Sequence, residues 1–120
     1  MSAQNSRPSC VSLEENLKKA VTELLILHLL TQRDYFIGDL TETLKQKSNG
    51  ILKLVFPYSA IYRLQEIGYI ANSDKRIAPD GRKRQFFTIS ALGRNHYMEL
   101  LETYQCFIHG VNTVLAEDPA

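Results

Sequence analysis

Apolar positions along the chain keep a helical period up to Gly68, turn strand-like, and return to a helical period from Ala91. From Leu13, the residues Leu17, Val21, Leu24, Leu25, His28 and Leu29 recur at helical spacing, and Leu27 and Leu30 widen the stripe. This predicts a central helix, apolar on most sides, that stops between Thr31 and Asp34. Ser12 suits its N-cap, with Glu15 three residues later able to complete a capping box. The polar residues before it include Pro8, so residues 1–12 are expected to form a flexible arm. Ile37, Leu40 and Leu44 carry a second, shorter helix over 35–47, closed by Ser48-Asn49-Gly50. A third begins with Pro57 in its first turn, turns Ala60, Ile61, Leu64 and Ile67 inward, and ends at Gly68.

Beyond Gly68 the pattern becomes strand-like. Two short runs, 69–73 and 84–90, flank Ala78-Pro79-Asp80-Gly81, where proline presets one dihedral and glycine accepts positive φ. A hairpin follows. From Ala91 to Ala116, Tyr97, Leu101, Tyr104, Ile108, Val111 and Leu115 alternate spacings of four and three, the seam of a coiled coil, with Gly110 weakening the helix locally. The order ααα-ββ-α predicts a mainly α fold with a small β-hairpin (α+β): a winged helix-turn-helix with an additional C-terminal dimerisation helix. Residues 13–90 form the winged-helix domain, 91–116 the dimerisation helix of the same unit, and 117–120 a tail.

A chain of 120 residues, 44% hydrophobic, holds one core. Its net charge of +1 disfavours a protein that coats nucleic acid indiscriminately. The charge is nevertheless uneven, because Lys75, Arg76, Arg82, Lys83 and Arg84 outweigh Asp74 and Asp80 within the hairpin, for a local charge of +3. Cys10 and Cys106 have neither metal spacing nor the density of a disulfide framework. No run is long enough to span a membrane, and the start MSAQNSRPSC lacks the apolar core of a signal peptide, so a cytoplasmic protein is expected. His28, His96 and His109 sit in no recognised catalytic or metal pattern; no catalytic residue, metal or cofactor is expected, and His28 reads as a hydrogen-bonded core residue.

The second helix of a helix-turn-helix enters the major groove, and here that is the third helix. With Ala60, Ile61 and Leu64 inward, Tyr58, Ser59, Tyr62 and Arg63 are left outside to meet phosphates and base edges, Arg63 as the expected base reader. The two tyrosines equally suit the edge of an amphipathic core. Lys75, Arg76, Arg82, Lys83 and Arg84 would lie along a sugar-phosphate backbone, although a basic hairpin can also be merely solvated.

These stretches together resemble the PadR family of bacterial transcriptional regulators, over roughly residues 13–115. The matching residues are Thr22-Glu23-Leu24-Leu25-Ile26-Leu27, Tyr62-Arg63-Leu64-Gln65-Glu66-Ile67-Gly68-Tyr69-Ile70, and Gly81-Arg82-Lys83-Arg84-Gln85-Phe86-Phe87-Thr88-Ile89-Ser90 followed by Leu92-Gly93. The short chain with one terminal helix is similar to the family's smaller subgroup. That resemblance implies a homodimer, usually a repressor on a palindromic operator, joined through the terminal helix and the first one. Leu17, Val21, Tyr97, Leu101, Tyr104, Ile108, Val111 and Leu115 are then the interface. It also implies a small aromatic effector between subunits, with Tyr104 where drug-sensing members have a stacking tryptophan; Tyr104 serves equally as a plain seam residue. One stretch departs from the family. Lys53-Leu54-Val55-Phe56-Pro57-Tyr58 replaces a polar lead-in to the recognition helix, so Leu54, Val55 and Phe56 are core, strand-like, or an exposed patch. The competing function is a winged-helix protein-interaction module without sequence-specific DNA binding.

Overall fold

Proline's fixed φ and missing N–H suit the first turn of a helix as well as they suit a break. In the computed structural model, which describes residues 8–54 and 57–117, helix α1 starts at Pro8 and runs Pro8–Leu30. Ser12 is therefore an interior helical residue and not an N-cap, and the arm expected over 1–12 is helical from residue 8; residues 1–7 lie outside the described residues. Only the C-terminal half of α1 is central. Ile26, Leu27 and Leu30 are fully buried there, whereas Leu13 and Leu17 are exposed.

Helix α2 (Ile37–Lys47) starts two residues later than its apolar stripe suggests. Tyr35 is taken by a bridge to Phe87, its N–H donating to the Phe87 carbonyl at 3.3 Å and its carbonyl accepting from the Phe87 N–H at 2.8 Å. Leu40 and Leu44 turn the helix onto the core. It stops at Ser48, with Asn49 and Gly50 both at positive φ and the Gly50 N–H donating to the Lys45 carbonyl. Helix α3 (Pro57–Ile67) buries Ile61 and Leu64 and half-buries Ala60, but Ile67, expected inward, is exposed at the helix end; Leu54 of the lead-in packs against the core, and Val55 and Phe56 lie outside the described residues.

Strands β1 (Ile70–Ile77) and β2 (Lys83–Ile89) form an antiparallel hairpin, with β1 starting one residue later and extending four residues further than its expected run of 69–73. The added residues are exposed and, apart from Ile77, polar, so they are held by backbone pairing and not by burial. Register pairs Arg76 with Arg84 and Lys75 with Gln85, and an irregularity at Ser73-Asp74 sets two residues of β1 against Phe86. Gln85 spans it, donating to the carbonyls of Ser73 and Phe86.

Helix α4 (Ala91–Leu115) is capped by Ser90, whose Oγ accepts from the Gly93 N–H at 3.0 Å and donates to the Gly68 carbonyl at 2.6 Å. Gly93 is buried against the backbone, where a Cβ would fall 2.0 Å from the Tyr69 carbonyl oxygen. That contact fixes how α4 leaves the domain. Its first turns pack through Tyr97, Leu100 and Leu101 onto the core shared by α1, α2, α3 and the hairpin, while its last turns carry Phe107, Val114 and Leu115 into solvent.

Candidate nucleic-acid interface

The hairpin tip is built by the Pro79-Asp80-Gly81 turn. The Gly81 N–H donates to the Ala78 carbonyl with Gly81 at φ 84°, and Asp80 Oδ1 accepts from the Arg82 N–H. Asp80 also receives Arg84 Nη2 at 2.6 Å, and the Arg84 hydrogen bond, with that of the Arg82 N–H, holds its carboxyl below the usual carboxylate value. Arg84 is therefore neutralised within the turn. Its Nε is buried and has no hydrogen-bond partner among the described residues.

Arg76 is likewise engaged. It reaches Asp74 through Nε at 2.8 Å and Asp34 through Nη2 at 3.1 Å, and its guanidinium lies over the Phe86 ring at 4.3 Å. The hydrogen bond from Arg76, followed by that from Ser73, holds Asp74 below its ordinary value. Asp34 accepts from both Arg76 and the Ser73 hydroxyl, so the α1–α2 connection is tied to the wing by one carboxylate. The remaining three cations, Lys75, Arg82 and Lys83, are exposed and form no salt bridge among the described residues. Those three carry the wing's outward positive charge.

On α3, the residues expected outside are outside. Tyr58 is 73% and Tyr62 63% exposed, and Ser59 and Arg63 are exposed with them, so the tyrosines are not core edges. Arg63, however, donates through Nε to Glu23 of α1, and that hydrogen bond raises its pKa further. Gln65 of the same helix donates to Asn72 of β1 at 2.6 Å. Between α3 and the wing opens a cleft of about 920 Å³, lined by Phe36, Tyr58, Tyr62, Gln65, Arg84 and Phe87 among others. Helix α3 and the wing thus border one concave surface.

Asp34, Glu23, Phe36 and Tyr35 shape this surface but were not marked by the sequence pattern. Acids and aromatics in a connecting segment, as at 34–36, carry no periodic signal, Glu23 sits on the polar side of α1, and the partners of Asp34 and Glu23 lie tens of residues away.

A second concavity lies between α1 and α4. It encloses about 490 Å³ and gathers Leu17, Val21, Tyr97, Leu101, Tyr104 and Ile108, six of the eight residues expected at an interface. Val111 and Leu115 lie beyond it on the exposed end of α4. Tyr97 departs from a purely intersubunit role, since it is only 9% exposed and belongs to the chain's own core. His28 lines the groove as an exposed residue and not a core one; its Nδ1 meets the Tyr97 hydroxyl at 2.7 Å and its Nε2 the Gln32 amide at 3.2 Å. The helix turns His28 toward the α1–α4 gap, away from the Ile26, Leu27 and Leu30 face. Tyr104, 40% exposed, sits at the groove wall.

Among the described residues no three His, Cys, Asp or Glu side chains form a metal cluster, and no helix is long and apolar enough to cross a membrane. No family model matches the sequence, and no curated protein matches it. Solved structures do match the fold. A transcriptional regulator from Clostridium thermocellum superposes with TM-score 0.72 at 20% identity, covering 82% of this chain and 96% of its own. A PadR-like transcriptional regulator from Bacillus cereus gives 0.73 at 20% identity over 86% and 99%. A PadR family transcriptional regulator from Eggerthella lenta gives 0.75 at 16% identity over 91% and 94%. The four helices and antiparallel hairpin of this chain are thus the winged-helix fold of the PadR-like transcriptional regulators.

Proposed function

We propose that this chain is a PadR-like DNA-binding transcriptional regulator, a non-catalytic protein that works as a homodimer on a palindromic operator and acts there as a repressor. The observation that carries this reading is the common surface of α3 and the wing. Exposed Tyr58, Ser59 and Tyr62 border the same cleft region as a hairpin whose Lys75, Arg82 and Lys83 are available to phosphates. Arg76 and Arg84 flank them, each held by an aspartate that a phosphate oxygen would replace as acceptor.

The homodimer is supported by the uncovered apolar face that Leu17 on α1 and Val111, Val114 and Leu115 on α4 present to solvent. Paired about a two-fold axis, these faces cover each other and set two α3 helices about one DNA turn apart, ~34 Å. The α1–α4 groove, of a size that suits a small ligand, is the place for an aromatic effector stacking on Tyr104. Such a ligand would relieve repression by altering the angle of α4, and with it the spacing of the reading heads.

A mobility-shift titration with the DNA upstream of its own transcription unit, at several salt concentrations, tests the reading. Wild type should shift that fragment in preference to random duplex. Arg82→Ala/Lys83→Ala should weaken both and flatten the salt dependence by about two log-log units. Absence of salt-dependent binding to any duplex would leave the scaffold as a protein-interaction module.

A further inference from the structure

Polar side chains that ordinarily read bases are spent inside this molecule. Arg63, the one cation on α3, is held by Glu23, a carboxylate only 25% exposed on α1. The bond is made through Nε and draws the guanidinium toward α1, so turning it to a guanine would leave the carboxylate without its Arg63 partner and largely out of water, which opposes the exchange. Gln65, able in principle to take an adenine edge, donates its amide to Asn72. Glu66 is exposed but is acidic and lies in the last turn of the helix, next to its final residue, where it repels phosphate. What projects from α3 is aromatic. Tyr58 and Tyr62 stand four apart, hence on one face, at 73% and 63% exposure, with Ser59 between them as the free hydroxyl.

A tyrosine ring offers an apolar body and a polar tip. Among the base edges of the major groove, the thymine C5-methyl is the apolar group. Resting on the regulator reading, we propose that α3 selects its site by packing thymine methyl groups against the rings of Tyr58 and Tyr62, with affinity supplied by the wing cations and no guanine read by Arg63. The preferred half-site then contains thymine where the N-terminal half of α3 meets the groove. Each methyl withdrawn from water onto a ring contributes roughly fourfold in affinity, so two contacts in a half-site give about fifteen-fold.

The test uses the full chain and the fragment upstream of its own transcription unit, amplified once with dTTP and once with dUTP, which removes every C5-methyl and keeps the hydrogen-bonding edges. A random duplex made both ways reports the non-specific term. Wild type should bind the thymine fragment at least tenfold more tightly than the uracil one, and the two random duplexes alike. Tyr58→Ala/Tyr62→Ala should bring the thymine-to-uracil ratio to about one, Tyr58→Phe/Tyr62→Phe should keep it, and Arg63→Ala should leave it unchanged. Equal binding of both upstream fragments, with preference over random DNA intact, would overturn the methyl-reading proposal alone. So would a ratio that survives in the alanine pair, or one lost in the phenylalanine pair, which would assign reading to the hydroxyls. Binding of the upstream fragment no better than random duplex by wild type would instead bring down the regulator reading, and this inference with it.

Discussion

Gly93 is the point where helix α4 crosses the backbone that leaves α3, and Gly93→Ala tests that crossing. A Cβ built there lies 2.0 Å from the Tyr69 carbonyl oxygen and 2.9 Å from both Tyr69 C and Ile89 Cγ1. Two of those three atoms are main chain, and the carbonyl cannot swing away freely because it already accepts from the Ser90 N–H at 3.0 Å. α4 must shift outward by about an ångström or β1 must give way. Forcing a methyl into close-packed surroundings costs about 1–3 kcal/mol, and a backbone obstacle places this case at the upper end. Replacing glycine within a helix returns about 1 kcal/mol of helix propensity. The net loss is therefore about 2 kcal/mol, which for a chain of this length lowers Tm by roughly 6–10 °C. Thermal melts followed by circular dichroism, at matched protein concentration because dimerisation is linked to stability, measure it. A Tm within about 1 °C of wild type would refute the reasoning. In the proposed homodimer a tilted α4 would also misplace the partner's α3, so affinity for the proposed operator should fall further than stability alone accounts for.

Three other outcomes follow from the same geometry. Asp80→Asn preserves the oxygen that accepts from the Arg82 N–H but frees Arg84 from its carboxylate, so binding to random duplex should tighten about threefold and its salt dependence steepen by about one unit, read by anisotropy titration. Ser90→Ala removes the α4 cap and its bond to the Gly68 carbonyl, and should cost about 1 kcal/mol in urea unfolding without changing the m-value. Leu17→Asp/Leu115→Asp places charges on two exposed apolar positions, so under the proposed homodimer sedimentation should show dimer for wild type and monomer for the variant, with little change in helix content.

Three helices, a hairpin and a long final helix were legible in the chain because each depends on local period and punctuation. Ile61 and Leu64, Leu40 and Leu44, Pro79-Asp80-Gly81 and Gly50 each act within a few residues of themselves. The outward face of α3 was legible for the same reason, being the complement of a buried stripe. Local signals misled where one residue serves two purposes. Pro8 opens a helix and could have ended an arm; Tyr35 pairs with Phe87 across the fold although it heads an apolar repeat.

What sequence by itself determined is the inventory: which segments become helix or strand, which stripe turns inward, and that positive charge gathers at one hairpin. Which of those charges remain available was decided only by tertiary structure. Asp34 meets Arg76, Glu23 meets Arg63 and Asn72 meets Gln65 through space, so the expected base reader Arg63 is engaged within the chain while Tyr58 and Tyr62 stand exposed beside it. Periodicity reports the direction in which a side chain points from its own helix axis; an ion pair depends on where a second, distant segment is carried by the fold.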